Sequence, residues 1–300
     1  MIDLTVVDNA YCRFQSGMMH TLLAFAFFAV VVPGLSAQSS PDSAPDTGLR
    51  MTPSPRARPL LPRAYVLAVG TATLATVALF PVDARVQELV QRSDLQSNIG
   101  LQRTASTFAV VGGPAPFVAA ASLLLTGRLL GFSPLAHVGV HLAEGVTLAA
   151  TVNAVGKGIA GRTLPNEAGN EPGEFSLGRG FRAHNGPYVS FPSGHTAAAF
   201  ASAAVLTAEA ERWRPALRWV VGPIVYGGAA LVAASRLYQN VHWASDLPLA
   251  AVIGTLSGRM ISGRPHSKSL RRLDGWLSRA NVLPQRAGGV TVAWSSIPAL

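Results

Sequence analysis

The residues best suited to do chemistry lie in one twelve-residue stretch, 235–246, of an otherwise apolar region. The stretch contains Arg236, His242 and Asp246. His242 and Asp246 are four residues apart, so on a helix they would share a face, where the carboxylate fixes one ring nitrogen and leaves the other free to attack. Arg236 supplies a planar cation of the shape that clamps phosphate oxygens. Taken alone, the stretch is equally compatible with a polar pair that caps an apolar helix.

A second stretch has the sequence Phe-Pro-Ser-Gly-His over residues 191–195 and is followed by small residues up to Phe200. Its Pro and Gly predict a turn, and the small residues predict a helix that begins there. A helix N-terminus binds anions through its backbone N–H groups, and Gly194 would allow close approach. Ser193 adds a hydroxyl donor, and His195 adds a group that exchanges protons near neutral pH. By itself, a Ser-Gly-His sequence would be a helix cap and a surface histidine.

A third segment, from Lys157 to Pro165, reads Lys-Gly-Ile-Ala-Gly-Arg-Thr-Leu-Pro. This segment, then Pro-Ser-Gly-His, then Ser-Arg-x5-His-x3-Asp resemble, in that order, the type 2 phosphatidic acid phosphatase superfamily. That superfamily also includes bacterial acid phosphatases and vanadium-dependent haloperoxidases. The resemblance covers residues 63–262, and the second and third motifs match at every signature position. The first motif departs, because Leu164 stands where the family pattern has Arg before Pro.

The resemblance implies a role for each residue of the three motifs. His242, oriented by Asp246, would attack phosphorus and form a phosphohistidine. His195 would protonate the leaving alcohol and then activate water, help that is worth ~10²–10⁴-fold in rate. The phosphate oxygens would be held by five groups: Lys157, Arg162, Ser193, Gly194 and Arg236. The sequence has no carboxylate cluster typical of Mg²⁺ sites, so we expect a metal-independent phosphatase without a cofactor, inhibited by vanadate.

Three hypotheses about function stay open at this stage. The first is a phosphatase acting on phosphomonoesters or diphosphates of lipid-linked or smaller substrates. The second is a haloperoxidase with vanadate as its cofactor, although the short chain and the missing arginine at Leu164 argue against tight vanadate retention. The third is a non-catalytic membrane bundle with a degenerate site. Only Leu164 supports it, because an inactive relative would be expected to lose His195 or His242 as well.

Composition indicates a membrane protein or an apolar helical bundle. Hydrophobic residues make up 49% of the chain and charged residues 13%, against roughly 25% charged in soluble domains. The net charge is +9, and Lys and Arg outnumber acids by seven to one from Arg259 onward. Such a tail suits anionic lipid headgroups or a cytoplasmic anchor. Nucleic acid is not expected as a partner because no binding motif accompanies the charge.

Four regions follow from the sequence: a signal-peptide-like or anchor segment 1–37, a disordered Pro/Ser-rich linker 38–62, a helical phosphatase domain 63–262 and a basic tail 263–300. Within the third region, six apolar segments without period-two alternation predict helices, at about 64–80, 106–127, 135–156, 195–210, 216–235 and 244–262. The fold expected is an all-α six-helix bundle of the superfamily's kind. A short strand is predicted within 288–297, with no obvious partner.

The signals for membrane sidedness conflict. Basic residues around six spans would place the tail in the cytoplasm and the motifs in the periplasm. A cleaved signal peptide would invert all six spans, unless the bundle is exported whole. The first segment, at 17 residues, reaches roughly 26 Å and is short for a ~30 Å core. We rank an inner-membrane bundle of a bacterial-type envelope first and an exported bundle second, both with a periplasmic site.

One further group, His137, His141 and Glu144, has a spacing that could mimic a metal site. Neither another histidine nor a cysteine stands nearby in the sequence, and the group precedes the three motifs. We therefore expect these side chains to satisfy one another inside the bundle.

Overall fold

A computed structural model describes residues 63–167, 171–182, 186–263, 280–284 and 290–294. The expectations for the signal-like segment 1–37 and the linker 38–62 lie outside these residues. In the part that is described, the chain before residue 263 is mostly helical, apart from the long connection between Ala160 and Gly194.

Nine α-helices are present in the described residues. They are α1 (Arg63–Leu79), α2 (Asp83–Val90), α3 (Ser93–Gln96), α4 (Ile99–Gly112), α5 (Ala115–Leu129), α6 (Ser133–Ala160), α7 (Gly194–Trp213), α8 (Arg218–Tyr238) and α9 (Asp246–Ser262). Short 3₁₀ turns occupy Phe80–Val82, Arg179–Phe181 and Pro215–Leu217. Two strands follow the bundle, β1 (Ala280–Pro284) and β2 (Val290–Trp294), and they pair antiparallel.

The expectation of a helical bundle is confirmed, with one helix more finely divided than predicted. The expected segment 106–127 is split between α4 and α5, which meet at an angle of 54° around Gly113 and Pro114. Proline breaks a helix because it has no backbone N–H to donate and its ring clashes with the preceding turn. The strand expected near the end of the chain is confirmed as β2, and its partner β1 was not predicted.

Three helical stretches of the described residues are long and apolar enough to cross a membrane, namely Arg63–Val90, Ser133–Ala160 and Pro215–Tyr238. The bent pair of α4 and α5 would make a fourth if it counts as one span. The expectation that the first helix is too short is wrong, because helical backbone continues from α1 through Phe80–Val82 into α2 and gives 28 residues. The shorter α7 and α9 are not among these spans, so six full spans are not found in this part of the chain.

The outer faces of these helices are apolar. Leu67 and Leu74 of α1 are 68% and 71% exposed, and Trp219 and Ile224 of α8 are 72% and 67% exposed. Large apolar side chains turned outward over several helices are costly in water and suit a hydrocarbon surrounding. This outer surface favours the membrane-embedded bundle over the bundle exported whole.

The centre of the bundle depends on small residues that let helix backbones approach closely. Gly254 and Gly258 of α9 lie against Ala197 and Ala201 of α7, where an added Cβ would overlap backbone atoms. Close contact through small residues is how helices associate when apolar burial gives little advantage, as in lipid. The core shared by α5, α6, α7 and α9 consists of apolar residues, most of them small: Ala120, Leu142, Val146, Ala149, Ala197, Ala198, Ala201, Val205 and Ala250.

The histidines of α6 bond to groups outside their own cluster. Nδ1 of the buried His141 lies 2.7 Å from Oε1 of Glu209 on α7, and Nδ1 of His137 lies 2.7 Å from the carbonyl of Ser133. We expected these two histidines and Glu144 to bond to one another. The two Nδ1 atoms bond instead to Glu209 and to the Ser133 carbonyl. Within the described ranges, no group of three or more His, Cys, Asp or Glu side chains is placed to hold a metal ion.

Candidate active site

The third motif spans a turn between two helices, not one continuous helix. α8 ends at Tyr238, α9 begins at Asp246, and Asn240 between them has a left-handed φ of 58°, which asparagine tolerates well. The helix face that His242 and Asp246 were expected to share is therefore absent. The two side chains still meet, with 3.2 Å between His242 Nδ1 and Asp246 Oδ2. The same carboxylate oxygen accepts the Trp243 backbone N–H at 2.9 Å, so Asp246 also shapes the turn.

Asp246 is fully buried and bonded on every side. Its Oδ1 accepts from Arg162 Nη1 at 2.6 Å, and its Oδ2 accepts from the Ser190 hydroxyl at 2.5 Å. Its backbone carbonyl accepts the Ser193 N–H at 3.2 Å, which ties the third motif to the second. Burial alone would raise the pKa of Asp246, but the His242 hydrogen bond and the Arg162 charge outweigh burial and lower it. The carboxylate is therefore an anion that cannot easily turn away from His242.

The second motif forms the N-terminus of α7, as the sequence predicted. Ser193 is the N-cap and is fully buried; its Oγ accepts from the Thr196 backbone N–H at 3.5 Å and from the Thr196 hydroxyl at 2.9 Å. In both contacts the Ser193 oxygen accepts, so neither uses its hydroxyl hydrogen. Gly194 and His195 are the first two helical residues, at the position where backbone N–H groups point out of a helix.

Two cations lie in the same electrostatic neighbourhood as both histidines. Lys157, in the last turn of α6, donates through Nζ to the Val189 carbonyl. Arg236, in the last turn of α8, is 5% exposed and donates to Gln239 Oε1 at 2.6 Å. The positive charges of Lys157 and Arg236 act on His242 and on His195 alike. The structure thus brings residues of all three motifs to one end of the bundle.

Burial keeps both histidines neutral near pH 7. It lowers the pKa of His242 to about 4, although the hydrogen bond that His242 donates to Asp246 acts in the opposite direction. Burial, followed by the charges of Arg236, His242 and Lys157, holds the pKa of His195 well below its usual 6.5. Neither histidine lies in a candidate membrane span. A neutral imidazole has a lone pair available for attack, which a nucleophile requires.

Arg162 does not lie as the resemblance implies. It is fully buried, and it donates to Asp83 Oδ2 at 2.7 Å, to Asp246 Oδ1 at 2.6 Å and to the Pro172 carbonyl at 2.8 Å. Its guanidinium also lies 4.7 Å from the ring centroid of Phe80. The expected role as a phosphate ligand disagrees with this geometry, because a phosphate would have to displace a carboxylate.

Sequence reasoning missed several residues that position the site. Asp83 and Ser190 are both fully buried and bond to Arg162 and to Asp246, respectively. Asp83 had one sequence signal, namely an acid directly after the apolar end of the first helix, at Phe-Pro-Val-Asp. Ser190 had none that separates it from other loop serines.

The position of the missing arginine lies in the long loop between α6 and α7, residues 161–193, and bonds to a later part of the same loop. Leu164 is half-buried, and its backbone N–H donates to the Pro187 carbonyl at 2.8 Å. Next to Pro187, the Tyr188 ring stacks on Arg179 with 4.3 Å from guanidinium carbon to centroid. A cavity of about 870 Å³ in this loop is lined by Ser176, Leu177, Gly178, Arg179, Arg182, Gly186, Pro187 and Tyr188.

Residues 138–266 match the family model of the PAP2 superfamily, a range that contains all three motifs. The resemblance to the type 2 phosphatidic acid phosphatase superfamily is thereby confirmed for this part of the chain.

Two curated relatives match part of the chain. It is 39% identical over 90 residues to lipid A 1-phosphatase from Porphyromonas gingivalis, covering 29% of this chain and 19% of the relative. It is 33% identical over 110 residues to the putative undecaprenyl-diphosphatase YbjG from Escherichia coli, covering 36% of this chain and 52% of the relative. The chain thus spans about half or less of the length of the curated relatives it matches.

One solved structure is similar over a longer range. It is the transmembrane PAP2 type phosphatidylglycerolphosphate phosphatase from Bacillus subtilis, with 20% sequence identity and a TM-score of 0.40. The match covers 67% of this chain and 94% of that one.

Proposed function

We propose that this protein is a membrane phosphatase that hydrolyses phosphomonoester or diphosphate groups of lipid-linked substrates through a phosphohistidine. The observation that carries the proposal is the buried contact between His242 Nδ1 and Asp246, beside the N-terminus of α7 and two cations. The carboxylate keeps the proton on Nδ1, which leaves the Nε2 lone pair for phosphorus. The curated relatives support the phosphatase class, since both are named for phosphate removal from lipids.

In the first step, Nε2 of His242 attacks phosphorus and the bond from phosphorus to the leaving oxygen breaks. His195 gives its proton to that oxygen, so the leaving group departs as an alcohol or as a phosphate. In the second step, water attacks the phosphohistidine while His195 takes its proton, which releases inorganic phosphate and regenerates neutral His242. Lys157 and Arg236 offset the charge on the oxygens around phosphorus, together with the Gly194 N–H and the Ser193 hydroxyl.

His195 has to be protonated before the first step, although burial and the nearby cations lower its pKa. A bound phosphate group carries up to two negative charges. Placed among Lys157, Arg236 and His195, it would counter those cations and raise the pKa of His195 again. The substrate therefore helps to charge its own general acid.

Two features favour lipid-linked substrates: the apolar outer surface of the bundle, and the basic residues that line the cavity in the loop between α6 and α7. The apolar outer faces of α1 and α8 place the bundle where lipids are. Arg179 and Arg182 line the cavity in the loop, and the neighbour of Tyr188 is Val189, whose carbonyl accepts from Lys157. A headgroup that carries more negative charge than one phosphate would find cations there.

We place this end of the bundle on the periplasmic side of the inner membrane.

The decisive test is phosphate release from a panel of lipid phosphates, lipid diphosphates and small phosphoesters in detergent micelles. The parent chain should release phosphate from at least one lipid member, and His242→Ala should not. His137→Ala is the matched control, because it removes a histidine near the other end of α6. Folded His242→Ala with normal turnover would refute the nucleophile, and halide oxidation without phosphate release would favour the haloperoxidase hypothesis.

Metal independence is a separate part of the proposal. If Lys157 and Arg236 supply the positive charge, EDTA should leave the rate within about twofold. Vanadate, which adopts the five-coordinate geometry of phosphorus in transfer, should inhibit. An absolute Mg²⁺ requirement without inhibition by vanadate would show that another group carries out the chemistry.

A further inference from the structure

A closed network of buried charges links the first residue of α2, Asp83, to the turn that carries His242. Arg162 lies between two carboxylates, with Nη2 2.7 Å from Asp83 Oδ2 and Nη1 2.6 Å from Asp246 Oδ1. The side chains of Arg162, Asp83 and Asp246 are all 0% exposed. The three residues stand 79 and 84 positions apart in the chain, so only the tertiary fold brings them together.

We infer that Asp83 and Arg162 are positioning residues, which hold Asp246 in the orientation that fixes the tautomer of His242. Asp83 grips the turn directly: its Oδ1 accepts the Ser245 backbone N–H at 2.9 Å, and its Oδ2 accepts the Ser245 hydroxyl. Ser245 immediately precedes Asp246, so Asp83 fixes the start of α9 from one side while Arg162 fixes the Asp246 side chain from the other.

The donors of Arg162 are fully used by the protein. A guanidinium has five N–H hydrogens. Nε donates to the Pro172 carbonyl, Nη1 to the Ser245 hydroxyl and to Asp246, and Nη2 to Asp83 and again to Pro172. These are five contacts for five hydrogens. Arg162 therefore has no hydrogen to offer a phosphate without giving up one of these bonds.

Aromatic rings close the network against water. Three rings surround the guanidinium carbon of Arg162, with centroids at 4.7 Å for Phe80, 5.2 Å for Phe175 and 5.4 Å for Trp243. A planar cation flanked by ring faces and by two carboxylates has one low-energy placement. Its Asp246 partner inherits that fixed placement.

This arrangement divides the two oxygens of Asp246 between two tasks. Arg162 occupies Oδ1, which leaves Oδ2 to face His242 Nδ1 at 3.2 Å. The two carboxylates and the one guanidinium sum to a net charge of −1. That charge stabilises the positive imidazole ring that forms as His242 attacks phosphorus.

The rest of the polar segment between α1 and α4 holds the other side of the same turn. Gln87 donates to Asn240 Oδ1, and Gln91 donates to the carbonyls of Leu237 and Tyr238 at 3.2 and 3.0 Å. Those carbonyls belong to the last turn of α8, where intrahelical donors run out. The segment therefore clasps both ends of the turn that carries His242, with Asp83 at one end and the glutamines at the other.

The test uses the tautomer of His242, a readout that does not need turnover. In parent protein with ¹⁵N-labelled histidine, His242 is identified as the signal lost in His242→Ala. We expect its spectrum at pH 7 to show one tautomer, with the proton on Nδ1. In Asp83→Asn and in Arg162→Lys we expect a mixture of the two tautomers. A single parent-like tautomer in both folded variants would overturn the inference.

Kinetics separate positioning from phosphate binding, and this arm rests on the proposed phosphatase activity. Asp83→Asn and Arg162→Lys should lower kcat by at least about tenfold, and the inhibition constant of vanadate should stay within about threefold. Lys157→Met should instead raise that constant strongly. A rise of tenfold or more in Arg162→Lys, with kcat preserved, would make Arg162 a phosphate ligand and refute our assignment.

Two further variants keep the test decisive. Asp94→Asn is the matched control, because Asp94 lies in the same polar segment but pairs on the surface with Arg92 at 3.1 Å. It should behave as the parent. If Asp83→Asn does not fold, Ser245→Ala removes the hydroxyl that joins Asp83 to Arg162 and leaves both charges in place. An unchanged tautomer in Ser245→Ala, after loss of folding in Asp83→Asn, would make the network structural only. If the parent shows one tautomer but releases no phosphate, the proposed function fails and the positioning role stands.

Discussion

At the scale of single residues, His242 acquires its chemistry from what surrounds it. An exposed imidazole near pH 6.5 would be partly protonated and free to rotate. Here burial lowers the pKa of His242 to about 4, and Asp246 accepts a hydrogen bond from one ring nitrogen. The result is a neutral ring with one defined lone pair.

One prediction concerns the hydrogen bond to Asp246. Asp246→Asn keeps the shape of the carboxylate but offers an N–H or a carbonyl to the ring, and the wrong tautomer places the lone pair on Nδ1. We expect kcat to fall by about 10⁴-fold, as in other sites where a carboxylate orients a histidine. Phosphate release in detergent measures the effect, and thermal unfolding shows whether the variant is folded. A loss below tenfold would mean that Asp246 serves the turn alone.

A second prediction concerns pH. The proposed attack on phosphorus needs neutral His242, so kcat/KM should fall on the acid side near pH 4, not near pH 6.5. Lys157 is one of the charges that lower the pKa of His242. Lys157→Met should therefore raise that pKa and move the acid limb to higher pH. A limb near pH 6.5 in the parent, or a downward shift in Lys157→Met, would contradict the stated cause.

At the scale of elements, the long loop before α7 depends on close contact with the end of α6. Gly180 lies directly on the Lys157 carbonyl, and the Phe181 ring lies on Gly158. A Cβ added at Gly180 would overlap that carbonyl, and a Cβ added at Gly158 would overlap that ring. The same loop carries Ser190, which donates to Asp246. Loop and site are therefore one packed unit.

We accordingly expect Gly180→Ala to displace the loop, because its methyl group meets backbone and not a flexible side chain. Activity should fall at least about tenfold, and the midpoint of thermal unfolding should drop. Gly173→Ala is the control, since a Cβ at Gly173 has nothing within 4 Å. Equal activity of both variants would show that this contact does not position Ser190.

At the scale of the whole molecule, the two ends of the bundle differ. The site lies where α6 ends and α7 begins, whereas the turn 214–217 between α7 and α8 lies 20 helical residues away, at the opposite end. If the bundle spans the inner membrane as proposed, these ends face different compartments.

Cysteine labelling tests this orientation. With Cys12 replaced by Ser, we introduce Gly173→Cys at the site end or Arg214→Cys at the other. In intact spheroplasts, a membrane-impermeant thiol reagent should label the cysteine at 173 and spare the one at 214. Labelling of both would indicate a bundle exported whole, and labelling of 214 alone would place the chemistry in the cytoplasm. Permeabilised cells, in which both should react, are the control.

The sequence alone predicted the helices and the candidate catalytic residues. Runs of Ala, Leu and Val without alternation predict helices because helical backbone needs no partner outside its own segment. Polar groups such as His195, His242 and Asp246 are conspicuous in an apolar chain. Their burial costs free energy, so ionisable residues in such surroundings are candidates for a functional site. The Pro-Ser-Gly sequence predicted the start of α7, because turn residues directly before a run of small residues are a local signal of a helix N-terminus.

The tertiary structure decided which cations face the site and which are paired with buried carboxylates. Arg162 fits a phosphate motif by spacing, but its partners Asp83 and Asp246 come from 79 and 84 positions away. Local spacing carries no information about such distant pairs. The expectation that His242 and Asp246 share a helix face was also wrong, because the left-handed Asn240 ends the helix before His242. The two side chains are in contact only because the packed fold brings them together. Hydrogen-bond donors are few and directional, so their assignment depends on the complete three-dimensional neighbourhood.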